Sequence, residues 1–209
     1  MAVDLLAWFP AGFTPRPEQA RLLRELGPAV ESGKGVLLVE APPGVGKSHV
    51  AMALARWSGD AYLLTSQKLL QDQYEREFGG AIQLVKGRDN YPCELYPPEM
   101  GVTTSFGKCH RPRGPKCQCP YVRAKTAALS GPIFCTNTAY FATLRQWHGE
   151  QLPRRRLLVI DEAHNLEAQL ISVFTVSFSA AQMTEWFGRP LPRLASAEEY
   201  RALLEGQLE

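Results

Sequence analysis

The chain has 209 residues, of which 45% are hydrophobic and 21% are charged. These proportions exclude wholesale disorder, because such a chain can bury enough apolar surface to offset its conformational entropy. The length suits one main α/β core with an insertion. No basic leader opens the chain and no apolar run approaches the roughly 18 residues of a membrane span, so we expect a cytoplasmic protein with no membrane partner.

The first predicted element is a helix that begins near Pro17. Apolar residues recur at helical spacing from Ala20 to Leu26, and proline suits a first helical position because its missing N–H is not needed there. The continuous β-prone run Gly35–Val39 then predicts a strand buried on both faces of a parallel sheet. This strand would deliver the chain into a glycine-rich loop.

Residues Ala41–Ser48 have the sequence of a phosphate-binding loop, with alanine in place of the usual first glycine. Lys47 would contact the β- and γ-phosphates of a nucleotide, and the Ser48 hydroxyl would hold Mg²⁺. The alternative, a glycine-proline turn with a capping serine, does not explain the strand pattern before the loop and the helix pattern after it. Backbone donors that could wrap a phosphate are available from the candidate ATP-binding residues Gly44, Val45, Gly46, Lys47 and Ser48.

Strands and helices alternate after this loop, which predicts a parallel sheet flanked by helices. Ala61–Thr65 has a strand pattern, and Leu70, Tyr74 and Phe78 recur at the spacing of a helix. Beyond Ser177 the pattern is helical and polar. The other predicted elements are a short strand at 81–85, a helix at 121–129, a strand at 132–136, a helix at 140–147 and a strand at 156–160.

The segment from Gly87 to Pro120 is rich in proline, glycine and cysteine and has no lasting periodicity, so it predicts an inserted module. In a reducing compartment an odd number of cysteines favours metal ligation or buried thiols over disulfides. The spacing alone does not choose between a zinc site and a [4Fe-4S] cluster. The candidate ligands are Cys93, Cys109, Cys117 and Cys119, and His110 could replace one of them.

The fifth cysteine, Cys135, differs because it lies in an apolar, strand-like run that begins at Ile133. A buried free cysteine packs as a small hydrophobic side chain. We therefore expect Cys135 in the core of the sheet.

Positive charge is concentrated around the other cysteines. The formal net charge of the chain is +2, but residues 86–125 contain eight basic side chains and three acidic ones. A basic groove with aromatic side chains is the usual way to hold single-stranded nucleic acid, whereas many charged loops are only solvated. The candidate DNA contacts in this region are Lys108, Arg111, Arg113, Tyr121 and Arg123.

Leu157–Ile160 predicts a buried strand that ends in a DEAH box at residues 161–164. Open α/β sheets bind their ligands at this end of the strands. Asp161 would support Mg²⁺ and Glu162 would orient and deprotonate an attacking water, so these two residues and Lys47 are the candidate catalytic residues. A solvated acidic helix start is the alternative, and the phosphate-binding loop in the same chain argues against it.

These motifs, in this order, resemble the XPD/DinG family of iron-sulfur superfamily 2 DNA helicases, and the resemblance covers nearly the whole chain. Arg16 and Gln19 are similar to the adenine-recognition motif of the family, and residues 40–48 are similar to its motif I. Residues 65–67 and 161–164 are similar to motifs Ia and II. The resemblance thus adds Arg16 and Gln19 to the candidate ATP-binding residues, and Thr65 and Gln67 to the candidate DNA contacts.

The resemblance extends into the cysteine-rich segment. Lys86–Cys93 is similar to the lead-in to the first cluster cysteine of the family, and Cys119–Tyr121 is similar to its last ligand. This order leaves Cys135 outside the cluster. The resemblance implies a [4Fe-4S] cluster and 5′ to 3′ movement on single-stranded or forked DNA. ATP and Mg²⁺ are the cofactors expected from the loop and the DEAH box, and zinc is the alternative metal that the cysteine spacing leaves open.

The resemblance also implies a RecA-like fold in which residues 1–86 and 121–176 form lobe 1. Residues 87–120 would form the iron-sulfur insertion, and residues 177–209 the start of a helical arch domain. Such helicases hydrolyse ATP between two RecA-like lobes, and nothing after His164 resembles the second. We therefore expect the N-terminal motor lobe only, without unwinding by this chain alone.

Two other classes of function stay open at this point. One is a zinc-binding module that binds nucleic acid or protein, in which the nucleotide site is structural. The other is a nucleotide switch without unwinding activity.

Overall fold

The structure is a computed structural model that describes residues 3–33, 35–108, 118–177, 179–188 and 195–206. Its regular elements, in chain order, are α1 (Pro17–Glu31), α2 (Lys47–Ser58), β1 (Ala61–Thr65), α3 (Lys68–Phe78), β2 (Gln83–Leu84), α4 (Pro120–Ser130), β3 (Ile133–Asn137), α5 (Thr138–His148), β4 (Leu157–Ile160), α6 (Leu166–Phe174), α7 (Ala180–Phe187) and α8 (Ala197–Glu205).

The described strands form one parallel sheet in the order β2-β3-β1-β4, with helices packed against it. The predicted α/β class is therefore confirmed. Thr65 pairs with Asn137, and Leu64 pairs with Ile160. The three longer strands consequently end at one edge of the sheet, where Asp161 follows β4.

Alternate residues of the strands enter two different cores. Leu63 and Cys135 pack with α2 and α3 on one face, whereas Leu64 and Phe134 pack with α4 and α5 on the other. Burial of each large apolar side chain contributes roughly 1.5–3 kcal/mol. The predicted burial of Cys135 is confirmed, and this burial raises the pKa of its thiol to about 12.

A third apolar cluster joins α1 to α2. Leu23 of α1 and Val50 of α2 are buried in it. The helix predicted from Pro17 onward is confirmed, with this proline in its first turn. The packing fixes the start of α1, where Arg16 and Gln19 lie, beside the glycine-rich loop.

The prediction of a strand at Gly35–Val39 was wrong, because these residues form no strand. Val36 and Leu38 are 80% and 91% exposed. A β-prone run becomes a strand only when a neighbouring backbone pairs with it, and in the described part of the chain β4 pairs with β1 alone. For the same reason β4 is partly exposed, not buried as predicted, and Leu158 is 48% exposed.

The cysteine-rich segment is irregular where it is described, as its lack of periodicity predicts. An isolated antiparallel bridge joins Pro92 to Thr103; one short 3-10 turn, Arg88–Asn90, precedes this bridge, and another, Pro98–Met100, lies between the two bridged residues. Residues 109–117 lie outside the described residues.

The chain divides into two compact units, Met1–Val173 and Phe174–Glu209. The second unit contains α7 and α8, and α7 begins with a capping box formed by Ser179 and Gln182. Within the described residues, none of the helices combines the length and the apolar character that crossing a bilayer requires.

Candidate functional site

The glycine-rich loop depends on two glycines with left-handed backbone. Gly44 and Gly46 have φ of 82° and 85°, which other residues rarely adopt, and a side chain at Gly46 would also collide with the Gln19 amide. Ala41, which replaces the usual first glycine, does not have a positive φ. Helix α2 begins at Lys47, directly after Gly46 and within the last two residues of the loop, so the N–H groups of its first turn favour an anion there.

The Lys47 side chain lies between the glycine-rich loop and the DEAH box. Its Nζ donates to the Ala41 carbonyl at 3.3 Å and lies 3.7 Å from Oε1 of Glu162. The Lys47 and Glu162 side chains are 32% and 30% exposed, so a ligand has access to both. The structure therefore brings together two of the three candidate catalytic residues directly.

Arg16 and Gln19 hold the loop from the start of α1. Arg16 Nη1 donates to the Gly44 carbonyl at 2.8 Å, and Gln19 Nε2 donates to the Gly46 carbonyl at 3.1 Å. Gln19 Oε1 accepts the Arg16 backbone N–H at 2.8 Å. Gln19 is 3% exposed, so in this structure its amide holds the loop to the start of α1.

Three hydrogen bonds fix Asp161 at the end of β4. Its backbone N–H donates to the Leu64 carbonyl at 2.8 Å. Its Oδ1 accepts the Glu162 N–H at 3.0 Å, and its Oδ2 accepts the Tyr74 hydroxyl at 2.9 Å. Burial raises the pKa of Asp161 above its usual value, and the Tyr74 hydrogen bond opposes that shift.

Glu162 has a left-handed backbone, with φ 55° and ψ 47°. It is the one non-glycine residue with positive φ among the described residues. This conformation costs about 1–2 kcal/mol, and such strain is concentrated at functional sites. The Glu162 carboxylate has two neighbours, since Oε1 lies 3.7 Å from Nζ of Lys47 and Oε2 lies 3.3 Å from Nδ1 of His164.

Tyr74 also belongs to this site, although the sequence pattern predicts only that it lies in a helix. It is fully buried, and its hydroxyl reaches Asp161, with the Ser48 side chain as a second neighbour. Burial and the Asp161 carboxylate raise the pKa of Tyr74 well above its usual value. The signal was available, because a tyrosine at a core position of a helix needs a partner for its hydroxyl.

A second group that the sequence argument missed surrounds His49, the residue after Ser48. The His49 ring centroid lies 4.5 Å from that of Phe13 and 5.1 Å from that of Phe78. Its Nδ1 is buried and has no hydrogen-bond partner among the described residues. Burial lowers the pKa of His49, and the charge of Arg16 adds to this shift while Glu77 opposes it.

The residues similar to motif Ia have two different environments. Thr65 is fully buried and donates to the Gln67 carbonyl at 3.3 Å, whereas Gln67 is exposed at the start of α3. Thr138 is also buried, and it donates to the Thr65 carbonyl at 3.3 Å. Of the two candidate contacts, Gln67 is the one that a nucleic acid could reach in this conformation.

Cys93 and Cys119 are both buried, and an ion pair links their neighbours. Arg123 Nη2 lies 2.7 Å from Oε1 of Glu94, and the Arg123 backbone N–H donates to the Cys119 carbonyl at 3.0 Å. No group of three or more metal-ligating side chains occurs within the described residues. The other two predicted ligands, Cys109 and Cys117, lie outside these residues with His110.

The candidate DNA contacts of the cysteine-rich segment are only partly described. Lys108 is exposed, with Nζ 5.8 Å from the Tyr96 ring centroid, and Arg123 is exposed in its pair with Glu94. Tyr121 is buried, and the Arg88 guanidinium lies 4.5 Å from its ring centroid. Arg111 and Arg113 lie outside the described residues.

Comparison with known proteins gives one family. Residues 12–189 match the family model described as "Type III restriction enzyme, res subunit". The matched stretch includes the phosphate-binding loop, the cysteine-rich segment and the DEAH box. No curated protein matches the chain.

Proposed function

The chain belongs to the family of the type III restriction enzyme res subunit, whose domain is of the superfamily 2 helicase type, and on this premise we propose that it is a motor lobe of an XPD/DinG-type iron-sulfur DNA helicase. In this proposal, Mg²⁺-dependent ATP hydrolysis is coupled to 5′ to 3′ movement on single-stranded DNA. The family supports the helicase-type ATPase. The iron-sulfur type rests on the motif order and the cysteines.

The observation that carries the proposal is the position of Lys47. One ammonium group lies 3.3 Å from a carbonyl of the glycine-rich loop and 3.7 Å from the carboxylate of the DEAH box. A phosphate in the loop would meet this positive charge on one side and Glu162 on the other. This is the arrangement that phosphoryl transfer to water requires.

In the proposed reaction, Glu162 accepts a proton from a water molecule as the water oxygen bonds to the γ-phosphorus. The bond between the γ-phosphorus and the β,γ-bridging oxygen breaks, and ADP and phosphate leave. Lys47 stabilises the charge that develops on the phosphoryl oxygens. The Ser48 hydroxyl and the Asp161 carboxylate are oxygen donors of the kind that Mg²⁺ prefers, and bound Mg²⁺ would neutralise charge between the β- and γ-phosphates.

Replacement of Glu162 by Gln tests the role of the proposed base. The neutral amide cannot accept the proton, so we expect hydrolysis to fall by about 100-fold or more, while binding of a fluorescent ATP analogue persists. Glu167→Gln, an exposed change on α6, is the matched control. Hydrolysis by Glu162→Gln at the wild-type rate would rule out this assignment.

We propose that Cys93, Cys109, Cys117 and Cys119 hold a [4Fe-4S] cluster, which would supply a rigid fold for the segment when bound. The support is the burial of Cys93 and Cys119 and the Glu94–Arg123 pair that links their neighbours. Anaerobically purified protein should absorb near roughly 400 nm and lose this band in Cys93→Ser but not in Cys135→Ala. Colourless protein that contains zinc would favour the zinc-binding module instead.

We propose that single-stranded DNA binds along the basic segment, residues 86–125, and contacts Gln67. If Lys108 contacts a phosphate, its change to Ala should lower the slope of log affinity against log salt by about one. Arg24→Ala, an exposed change on α1, should leave the slope unchanged. DNA should also stimulate ATP hydrolysis, and an unstimulated ATPase would favour a nucleotide switch.

The proposed motor also requires a second RecA-like lobe. Lys47 and Glu162 are each about one-third exposed, so the phosphate site is open on one side. A second lobe would close this side and supply an arginine to the transferring phosphoryl group. Adding such a lobe should raise the rate of hydrolysis.

A further inference from the structure

We propose that Tyr74 is a positioning residue that sets the Mg²⁺ affinity of the nucleotide site by fixing the carboxylate of Asp161. This inference rests on the proposed ATPase function. It goes beyond that function because Tyr74 belongs to none of the motifs from which the site was identified.

The contacts of Asp161 leave its carboxylate little freedom to rotate. Oδ2 accepts the Tyr74 hydroxyl at 2.9 Å, and Oδ1 accepts the Glu162 N–H at 3.0 Å. Each carboxylate oxygen has two lone pairs, so one on each oxygen stays available for a cation or its water. A ligand that is already oriented binds a metal without the cost of ordering it.

The other proposed Mg²⁺ ligand is also close to Tyr74. The Ser48 side chain, at the start of α2, lies near the same hydroxyl. Ser48 and Asp161 are on elements far apart in the sequence, so Tyr74 of α3 lies near both proposed ligands while its hydrogen bond is to Asp161.

The Tyr74 ring and the Tyr74 hydroxyl have separable roles. The ring is fully buried in the core formed by α2, α3 and the sheet, beside Leu63 and Phe78. Phenylalanine would fill the same space. A role in packing alone thus predicts that Tyr74→Phe changes nothing at the metal site.

The position of Tyr74 is set by an element that is fixed at several points. Gln71, one turn earlier in α3, is fully buried, and its Nε2 donates to the Val85 carbonyl at 3.2 Å. Asn137 Nδ2 donates to Gln71 Oε1 at 3.4 Å. These contacts hold α3 against the carboxyl ends of the strands, so the Tyr74 hydroxyl meets Asp161 without a change of fold.

The test is the Mg²⁺ concentration that half-saturates tight binding of a fluorescent ATP analogue to the whole chain. Tyr74→Phe should raise this concentration by roughly tenfold, the usual effect of losing one hydrogen bond to a charged group. Binding in the presence of a chelator should not change. The matched control is Tyr62→Phe. This change removes a hydroxyl that donates to the Pro153 carbonyl at 2.6 Å, on the opposite face of the sheet.

A double-mutant cycle keeps the result interpretable if Tyr74→Phe also lowers the melting temperature. In an Asp161→Asn background, Tyr74→Phe should have no further effect on the Mg²⁺ requirement. An unchanged requirement in the single variant, or an equal effect in both backgrounds, would overturn the inference. Failure of the proposed function is distinguishable, because the wild-type chain would then show no Mg²⁺-dependent nucleotide binding at all.

Discussion

Single residues of the site differ in how far the sequence could predict them. The phosphate loop and the DEAH box are local patterns, so the sequence alone predicts Lys47, Asp161 and Glu162 as site residues. The contact of Tyr74 with Asp161 joins segments that are distant in the sequence. The helical pattern indicates that the buried Tyr74 hydroxyl needs a partner, but it does not indicate which residue that partner is. The left-handed backbone of Glu162 likewise cannot be predicted from the motif.

His49 should make stability depend on pH. Burial lowers its pKa in the folded state, so the unfolded chain binds the proton more readily. The neutral ring therefore carries no penalty above about pH 6.5, its unfolded value, and stability should fall as the pH drops from there toward the lowered folded pKa. Urea unfolding of wild type and His49→Phe across this range measures the difference.

The expected result is a shallower loss of stability at acidic pH in His49→Phe than in wild type. His148→Gln provides the control, since His148 is about half exposed. Parallel pH profiles for wild type and His49→Phe would contradict the account of this histidine.

At the scale of elements, the strand predictions were right where the strand pairs with a neighbouring strand. The run Ala61–Thr65 is β1 residue for residue, and it lies between two neighbouring strands. The run Gly35–Val39 has an equally apolar sequence but is exposed at every position except Leu37. Strand formation needs a partner backbone, and hydrophobicity does not specify one.

Arg155, just before β4, should stabilise the end of the sheet opposite the candidate site. Its side chain is 3% exposed, and it pairs with Asp60 at 2.8 Å. It also donates to three backbone carbonyls, at Pro132, Ala128 and Leu129. Because its loss would leave these groups unpaired, Arg155→Ala should lower the free energy of unfolding by about 3 kcal/mol.

Chemical denaturation can check this value, and Arg155→Lys separates charge from geometry. Lysine keeps the charge but not the planar set of donors, so it should recover only part of the loss. Arg154→Ala, at the exposed neighbouring position, should be within about 0.5 kcal/mol of wild type. An Arg155→Ala chain as stable as wild type would show that these contacts are not needed.

At the scale of the whole molecule, the order of motifs proved more informative than composition. The net charge of +2 would not indicate a nucleic-acid motor, but the succession of loop, cysteines and acidic box suggested a superfamily 2 helicase, and the family match supports that class. The iron-sulfur assignment stays a proposal. Its ligands are spread over a segment whose spacing fits no standard metal pattern.

The central claim is that the loop and the DEAH box of this chain form one ATP-hydrolysing site. The most direct measurement is phosphate release from Mg²⁺·ATP in the presence of single-stranded DNA by wild type, Lys47→Ala and the exposed control Arg21→Ala. The account predicts release by wild type and Arg21→Ala, and none above background by Lys47→Ala. Release by Lys47→Ala at the wild-type rate would contradict it.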